Sequence, residues 1–236
     1  MADETSGLSR SVEDYLKAIY AIGDSGETAS TSAIADALDV QPASVTGMVK
    51  RLAESGYLEH VPYRGVKLTE AGTREALRVL RRHRILETYL TVRLGYRWED
   101  VHHEAERLEH AASEELIERM AAALENPSHD PHGAPIPTSA GEVEPTEPHT
   151  LADLDAGETA MVRAVRDDDS EGLLAVEAAG LLPGARVRVR ARRRKPPALQ
   201  LLIQEGEAKT MELPLALAQR VYVVPITSET LEEENG

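Results

Sequence analysis

The chain has 236 residues, a formal net charge of −15, no Cys, no Phe and a single Trp. This length allows one to three domains with real cores. The missing thiols exclude a disulfide framework and any thiolate metal site, as fits a reducing cytoplasm. No basic-plus-apolar leader and no apolar run near the roughly 18 residues of a membrane span occurs, so a cytoplasmic protein without a membrane partner is expected. The scarcity of aromatic rings disfavours stacking on single-stranded nucleic acid. The acidic total also disfavours nucleic acid, but the distribution matters more. Between Gln41 and Arg82 eight basic residues face four acidic ones, a local positive excess in an acidic protein.

Residues 1–8 are polar and read as frayed. Ser9 to Ile22 places Val12, Leu16, Ile19 and Tyr20 at helical spacing, with Ser11 as N-cap and Asp14 in the first turn, where a carboxylate suits the helix dipole. GDSGET breaks that helix. TSAIADAL, the turn DVQPA and PASVTGMVKRLAES then form a helix-turn-helix pattern, whose second helix enters the DNA major groove. The start of that helix (Pro42, Ala43, Ser44, Thr46, Gly47) is small and polar enough for close approach to bases, while Lys50 and Arg51 reach phosphates. YLEHV and VKLT, joined by Pro62-Tyr63-Arg64-Gly65, read as a hairpin. A basic hairpin after a recognition helix is a wing, with Arg64 at its tip and Lys67 beside it as phosphate contacts. A hairpin that only covers the core is the plainer alternative.

Thr69 caps a long helix running to about Leu94, in which His83 and Glu87 share a face at i, i+4. Asp100 to Glu118 continues as one amphipathic helix, its pattern running on to about Leu124. At about 100° per residue, His102, Glu106, Glu109 and His110 fall on one stripe of it. A solvated face explains such a run as readily as metal does, and His103, Glu104 and Glu115 are assigned to solvent. The second pair at His83 and Glu87 favours cations held between packed helices. Oxygen and imidazole donors without thiolate point to manganese(II) or iron(II), with zinc physically possible. A di-metal carboxylate enzyme uses a similar inventory with repeated Glu-x-x-His motifs. Only Glu99 and His102 match that spacing, so no enzyme is expected and the di-metal enzyme stands as an alternative.

Glu125 to Thr150 contains six Pro and reads as a linker rather than a packed element. Its histidines, His129, His132 and His149, receive no metal role. In Leu151 to Ile226, ETAMVRAV, ARVRVRAR, ALQLLIQ and RVYVVPI read as strands and EGLLAVEAAGLLPG as a helix ending at Gly180, together a small β-barrel. The Arg-rich run reads as a charged strand face, because alternation turns Val187 and Val189 inward. The tail LEEENG reads as disordered.

Taken together, VEDYLKAIY, PASVTGMVKRL, YRGVKLTEAG, RRHRILETYL, VHHEAERLEH and DPHGAPIP resemble the diphtheria toxin repressor family of metal-dependent transcription regulators, of the DtxR and MntR type. The expected fold is mainly α with a small β domain. A winged helix-turn-helix spans 1–74, a helical metal-binding and dimerisation domain with its linker 75–149, and an FeoA-like barrel with an acidic tail 150–236. The resemblance implies a primary metal site of Asp14, Glu106, Glu109 and His110. It implies an ancillary site of His83, Glu87 and His102, completed by Asp169 or Glu171 of the barrel. Iron-responding members typically carry Met and Cys where Asp14 and Glu106 stand, so the harder pair resembles manganese-responding members. Lys17 stands where a binuclear manganese branch has a Glu, which favours two separated mononuclear sites. The implied function is a homodimeric, manganese(II)-activated repressor of metal-uptake genes on a palindromic DNA operator, with no small-molecule substrate. An iron(II)-responsive regulator is the alternative within the family.

Overall fold

A computed structural model describes residues 8–23, 28–145, 149–167, 170–203 and 209–226. The acidic tail, Asp169 and nearly all of the polar N-terminal stretch lie outside the described residues. Two compact units are formed, Met1–Leu86 with Glu106–Ala123 and Ile136–Glu144, and Glu87–Ala105 with Leu124–Pro135 and Pro145–Gly236.

The first unit opens with α1 (Arg10–Gly23), where Val12, Tyr15, Leu16 and Ile19 recur at helical spacing and are buried. The Ser9 carbonyl accepts from the Val12 and Glu13 N–H groups. The helix therefore starts ahead of Ser11, and Glu13 rather than Asp14 occupies its first turn. In α2 (Thr31–Leu38) the Ser30 side chain caps the Ala33 N–H, and Asp39 ends the helix in the left-handed conformation. After it, α3 (Pro42–Glu54) starts with proline in its first turn, where no N–H is needed. It turns Val45, Val49 and Leu52 onto α1 and α2, forming one core with Leu16, Ile34, Leu58 and Val66.

The wing is the antiparallel pair β1 (Leu58–Val61) and β2 (Gly65–Leu68). Ala29 bonds Val66 through both its N–H and its carbonyl, so the chain beside Gly65 runs tight. Gly65 has φ +117° and a Cβ there would lie 2.2 Å from the Ala29 carbonyl oxygen, so only glycine fits. Lys67 lies opposite Glu59 in the ladder, its ammonium 3.0 Å from that carboxylate.

Helix α4 (Glu70–Leu94) starts where the Thr69 hydroxyl accepts from the Gly72 N–H. The expected single helix after it is two, α5 (Val101–Leu108) and α6 (Glu114–Ala123). The break has a local cause. The Ser113 hydroxyl accepts from the Leu116 N–H and its carbonyl from Ile117, a new N-cap, with Glu114 and Glu115 in the first turn behind it. Glu109 and His110 consequently sit in a turn after α5.

The second unit contains a five-stranded antiparallel sheet in the order β6-β5-β4-β3-β7. Its strands are β3 (Thr159–Val165), β4 (Arg186–Arg194), β5 (Pro197–Ile203), β6 (Lys209–Pro214) and β7 (Val221–Pro225). Strand β6 was not foreseen from the sequence. Helix α7 (Ser170–Ala179) packs Leu173 and Val176 into a core with Val187, Val189, Leu199 and Val223, and the short α8 (Leu215–Ala218) adds Ala218. Among the described residues no ladder joins β6 to β7, so closure into a barrel is not part of the hydrogen-bonded sheet. The β4 arginines are tied within this unit: Arg193 pairs with Glu212, and Arg192 donates to the Ala152 and Leu154 carbonyls. That agrees with a charged strand face.

Gly47 contrasts with Gly65. A Cβ at Gly47 would meet nothing within 4 Å, so nothing inside the fold requires a residue that costs a helix about 1 kcal/mol relative to Ala. Gly47→Ala is expected to raise stability by up to about 1 kcal/mol, and Gly65→Ala to lower it by more than about 1 kcal/mol. Urea denaturation of the two variants beside the parent chain checks both signs.

Candidate metal centres

In the first unit, α1 presents Glu13, Asp14 and Lys17 toward the turn after α5. There the Leu108 carbonyl accepts from Ala111 and Ala112, folding Glu109 and His110 back toward α1. His110 Nε2 lies 2.8 Å from Asp14 Oδ1 and 3.3 Å from Glu109 Oε1. Asp14, Glu109 and His110 each present one ligand atom, all within 4.8 Å of one another. The other ring nitrogen, Nδ1, is 2.5 Å from Glu13 Oε2, and Glu13 Oε1 is 2.6 Å from Arg82. Glu13 thereby orients the ring and leaves Nε2 facing the carboxylates, the arrangement metal-ligating histidines usually have.

Glu109 is 1% exposed. Both of its oxygens are 2.9 Å from Lys17 Nζ, and His83 Nδ1 is 2.5 Å from Oε2. Burial alone would raise its pKa, but His83 and Lys17 outweigh burial and hold it below the ordinary carboxylate value. Burial likewise opposes the charge on His110, yet Asp14, Glu13 and Glu109 overcome it and push the imidazole up to about 9. Glu106, expected as a ligand beside them, has a side chain 47% exposed, with its carboxylate 3.7 Å from Lys17 Nζ. The closely spaced trio does not include it.

The second cluster lies in the second unit. Glu87, on the last turns of α4, has Oε1 3.1 Å from His102 Nδ1, which is 3.5 Å from Asp167 Oδ2. Asp130-Pro131-His132-Gly133 forms a tight turn in which Asp130 Oδ1 accepts from the N–H groups of His132 and Ala134. The His132 carbonyl accepts from Val165 on β3, and a Cβ on Gly133 would sit 2.1 Å from the Arg163 carbonyl oxygen. This segment is therefore a packed element, although its proline content reads as a linker. His132 is fully buried, its Nε2 is 2.9 Å from the Trp98 carbonyl, and its Nδ1 makes no hydrogen bond while lying 3.9 Å from both Glu87 Oε2 and Asp167 Oδ2. Glu87, Asp130, His132 and Asp167 bring ligand atoms within 4.8 Å of one another. Burial lowers and Glu87 then raises the His132 pKa, for a net rise to about 9. Asp167 is held below the carboxylate range: burial and Glu87 act to raise it, but His102 and His132 prevail.

Of the expected ligands, Asp14, Glu109 and His110 come together in one cluster, and Glu87 and His102 in the other. His83 has Nδ1 turned to Glu109. Glu171 lies exposed in the first turn of α7, and Asp167 takes the place expected of it or of Asp169. Glu13, Asp130 and His132 belong to no expected set, and Asp167 starts the acidic Asp167–Glu171 stretch from which a barrel carboxylate was expected. The Asp-Pro-His-Gly run was the available signal, since it spells a tight turn with an inward histidine. The residues proposed for DNA contact (Pro42, Ala43, Ser44, Thr46, Gly47, Lys50 and Arg51) form the exposed side of α3, and Arg64 is exposed on the wing. Thr46 spends its hydroxyl on the Pro42 carbonyl.

Fold and site together define a winged-helix DNA-binding protein whose first helix enters an acidic and imidazole-bearing centre. Three family models match: the N-terminal DNA-binding domain of iron-dependent repressors over residues 7–66, their metal-binding and dimerisation domain over 69–138, and the FeoA domain over 149–225. The iron-dependent repressor IdeR of Mycobacterium tuberculosis is 34% identical over 189 residues, 75% of this chain and 82% of that one. The regulator MntR of Listeria innocua is 36% identical over 140 residues, 59% of this chain and 96% of that one. A solved manganese-dependent transcriptional repressor in complex with manganese matches with a TM-score of 0.84 and 37% identity, covering 91% of this chain and all of that one. The chain belongs to the diphtheria toxin repressor family, and it is a metal-dependent transcriptional repressor of the DtxR and MntR type.

The raised His110 pKa has a consequence for the metal-free protein. A folded-state value of about 9, above the ordinary histidine value of 6.5, means stabilisation that is complete below the lower value and lost as pH rises to the higher one. His132 contributes in the same sense. The melting temperature in chelator is expected to fall between those limits, and His110→Gln to flatten part of that fall. Thermal denaturation of both proteins across the range measures it.

Proposed function

We propose that the protein is a manganese(II)-activated repressor of metal-uptake genes, working as a cytoplasmic homodimer on a palindromic operator. The observation that carries this reading is the convergence of Asp14, Glu109 and His110. A residue of the DNA-binding unit's first helix meets two residues that follow α5, with hard oxygen and imidazole donors and no thiolate in the chain. Such donors suit manganese(II) or iron(II), and the manganese-dependent repressor noted above adds support for the former. Asp14, Glu109 and His110 would hold the activating ion, with Glu106 within reach of the same centre. Glu87, His102 and Asp167 would hold a second, with His132 and Asp130 as the turn's contribution. This keeps Glu87 and His102 of the expected ancillary set, takes Asp167 in place of Asp169 or Glu171 and adds Asp130 and His132, while His83 is expected there on the family resemblance and has Nδ1 on Glu109.

A bound divalent cation supplies the positive charge that offsets clustered carboxylates. The chain's own residues do the rest. Arg82 holds Glu13, Glu13 orients His110, and Asp14 draws α1 toward the turn, which fixes α1 and the α3 packed on it. A fixed α3 in each protomer fixes the separation of two recognition helices, and DNA affinity is sensitive to that separation. Metal and DNA affinities are then linked reciprocally. Gly47 fits the same reading, since its missing side chain is useful only to something outside the fold.

Fluorescence anisotropy of a labelled fragment from upstream of a metal-transporter gene tests this. At fixed salt and buffered free metal, manganese(II) is expected to raise affinity by at least about tenfold. His110→Ala should abolish the rise while sedimentation still shows a dimer. Gly47→Ala, though more stable, should bind the fragment more weakly. Full activation by manganese(II) in His110→Ala would sink the assignment of the activating centre. In Asp167→Ala, calorimetric titration should lose one equivalent of manganese(II) and retain the other.

A further inference from the structure

Lys17 in its charged form cannot be a metal ligand, yet it stands among the donors of the first centre. It lies three residues after Asp14 on α1, with its side chain 18% exposed. Its ammonium is 2.9 Å from both oxygens of Glu109, 3.2 Å from His83 Nδ1 and 3.7 Å from Glu106 Oε1. The carboxylate it holds is the most buried in the cluster, and a buried carboxylate without a counter-charge is strongly unfavourable. An ammonium in that position has two effects on a divalent cation. It engages the oxygens a metal needs, and it places a like charge a few ångströms away.

We propose that Lys17 is a tethered counterion that competes with the activating metal for Glu109, supporting the metal-free centre and raising the metal concentration at which it fills. The proposal rests on the reading of Asp14, Glu109 and His110 as a metal centre. Lys17 holds the buried Glu109 until a divalent ion outbids it, and the flexible four-carbon stem lets the ammonium withdraw toward solvent. The threshold for activation is therefore a property of a residue that is not itself a ligand.

The test is calorimetric titration of the full chain with manganese(II), paired with thermal denaturation in chelator, for the parent, Lys17→Met and Lys17→Gln. Met keeps the bulk and removes the charge; Gln keeps a donor for Glu109 without the charge, and serves if Met prevents folding. The expected result is manganese(II) affinity about tenfold or more tighter in either variant, with a lower melting temperature in chelator. The free manganese(II) giving half-maximal DNA binding should fall by the same factor. A folded variant with unchanged or weaker manganese(II) affinity overturns the role of Lys17 and leaves the metal centre standing. A parent chain that binds no manganese(II) overturns both readings together.

Discussion

A carboxylate buried to 1% exposure must have positive charge beside it, and Glu109 has two sources, Lys17 and His83. Much of the first unit is arranged around that requirement. Helix α1 brings Lys17 and Asp14, α4 brings His83 and Arg82, and the turn after α5 brings Glu109 itself with His110. Removing Lys17 would leave the buried Glu109 with His83 alone of that pair, a costly condition in a weakly polarisable interior. The cluster is therefore cooperative, and the same cooperativity makes it responsive to a cation that changes its charge balance.

The two clusters solve the positioning problem differently. In the first, a helix end and a turn supply the clustered donors, and a carboxylate behind His110 sets which ring nitrogen faces inward. In the second, backbone does that work: the Trp98 carbonyl takes His132 Nε2, and strand β3 takes the His132 carbonyl, so that Nδ1 points at Glu87 and Asp167. Both follow the rule that an imidazole ligand is oriented through its other nitrogen. The second cluster is also the drier, with Glu87 and His132 fully buried. It would hold an ion with less solvent in competition.

The exposed face of α3, proposed to read DNA, is built by exclusion. Val45, Val49 and Leu52 anchor α3 to the core, which leaves its small polar residues and two cations outside. Gly47 weakens the helix without any internal gain, and Gly65 is held in place by the Ala29 backbone. The second glycine is required by the fold, and the first is not. Lys67, a phosphate contact on the sequence reading, is paired across the wing with Glu59, so Arg64 carries that expectation better.

Periodicity, capping and turn chemistry, which are local, were enough to read the winged helix, the long α4 and four of the five sheet strands. They also set Glu106, Glu109 and His110 on one stripe, whereas Asp14 as a partner of that stripe follows only from the family resemblance. Locality also set the limit. The amphipathic pattern from Asp100 to Glu118 runs unbroken through Ser113, so a helix stop made by one hydroxyl and the following glutamates was invisible to it. Glu13 adjoins Asp14 in sequence, and only the approach of His110 and Arg82 gives it a role. Asp167 and His132 approach each other across 35 positions of chain because Val165 hydrogen-bonds the turn that carries His132. Composition marks that turn as linker, and only tertiary packing buries it. The sequence by itself determined which chemical groups were present and roughly where along the chain they fall; the tertiary structure alone decided which of them share a counter-charge, because burial and approach depend on residues far apart in the chain.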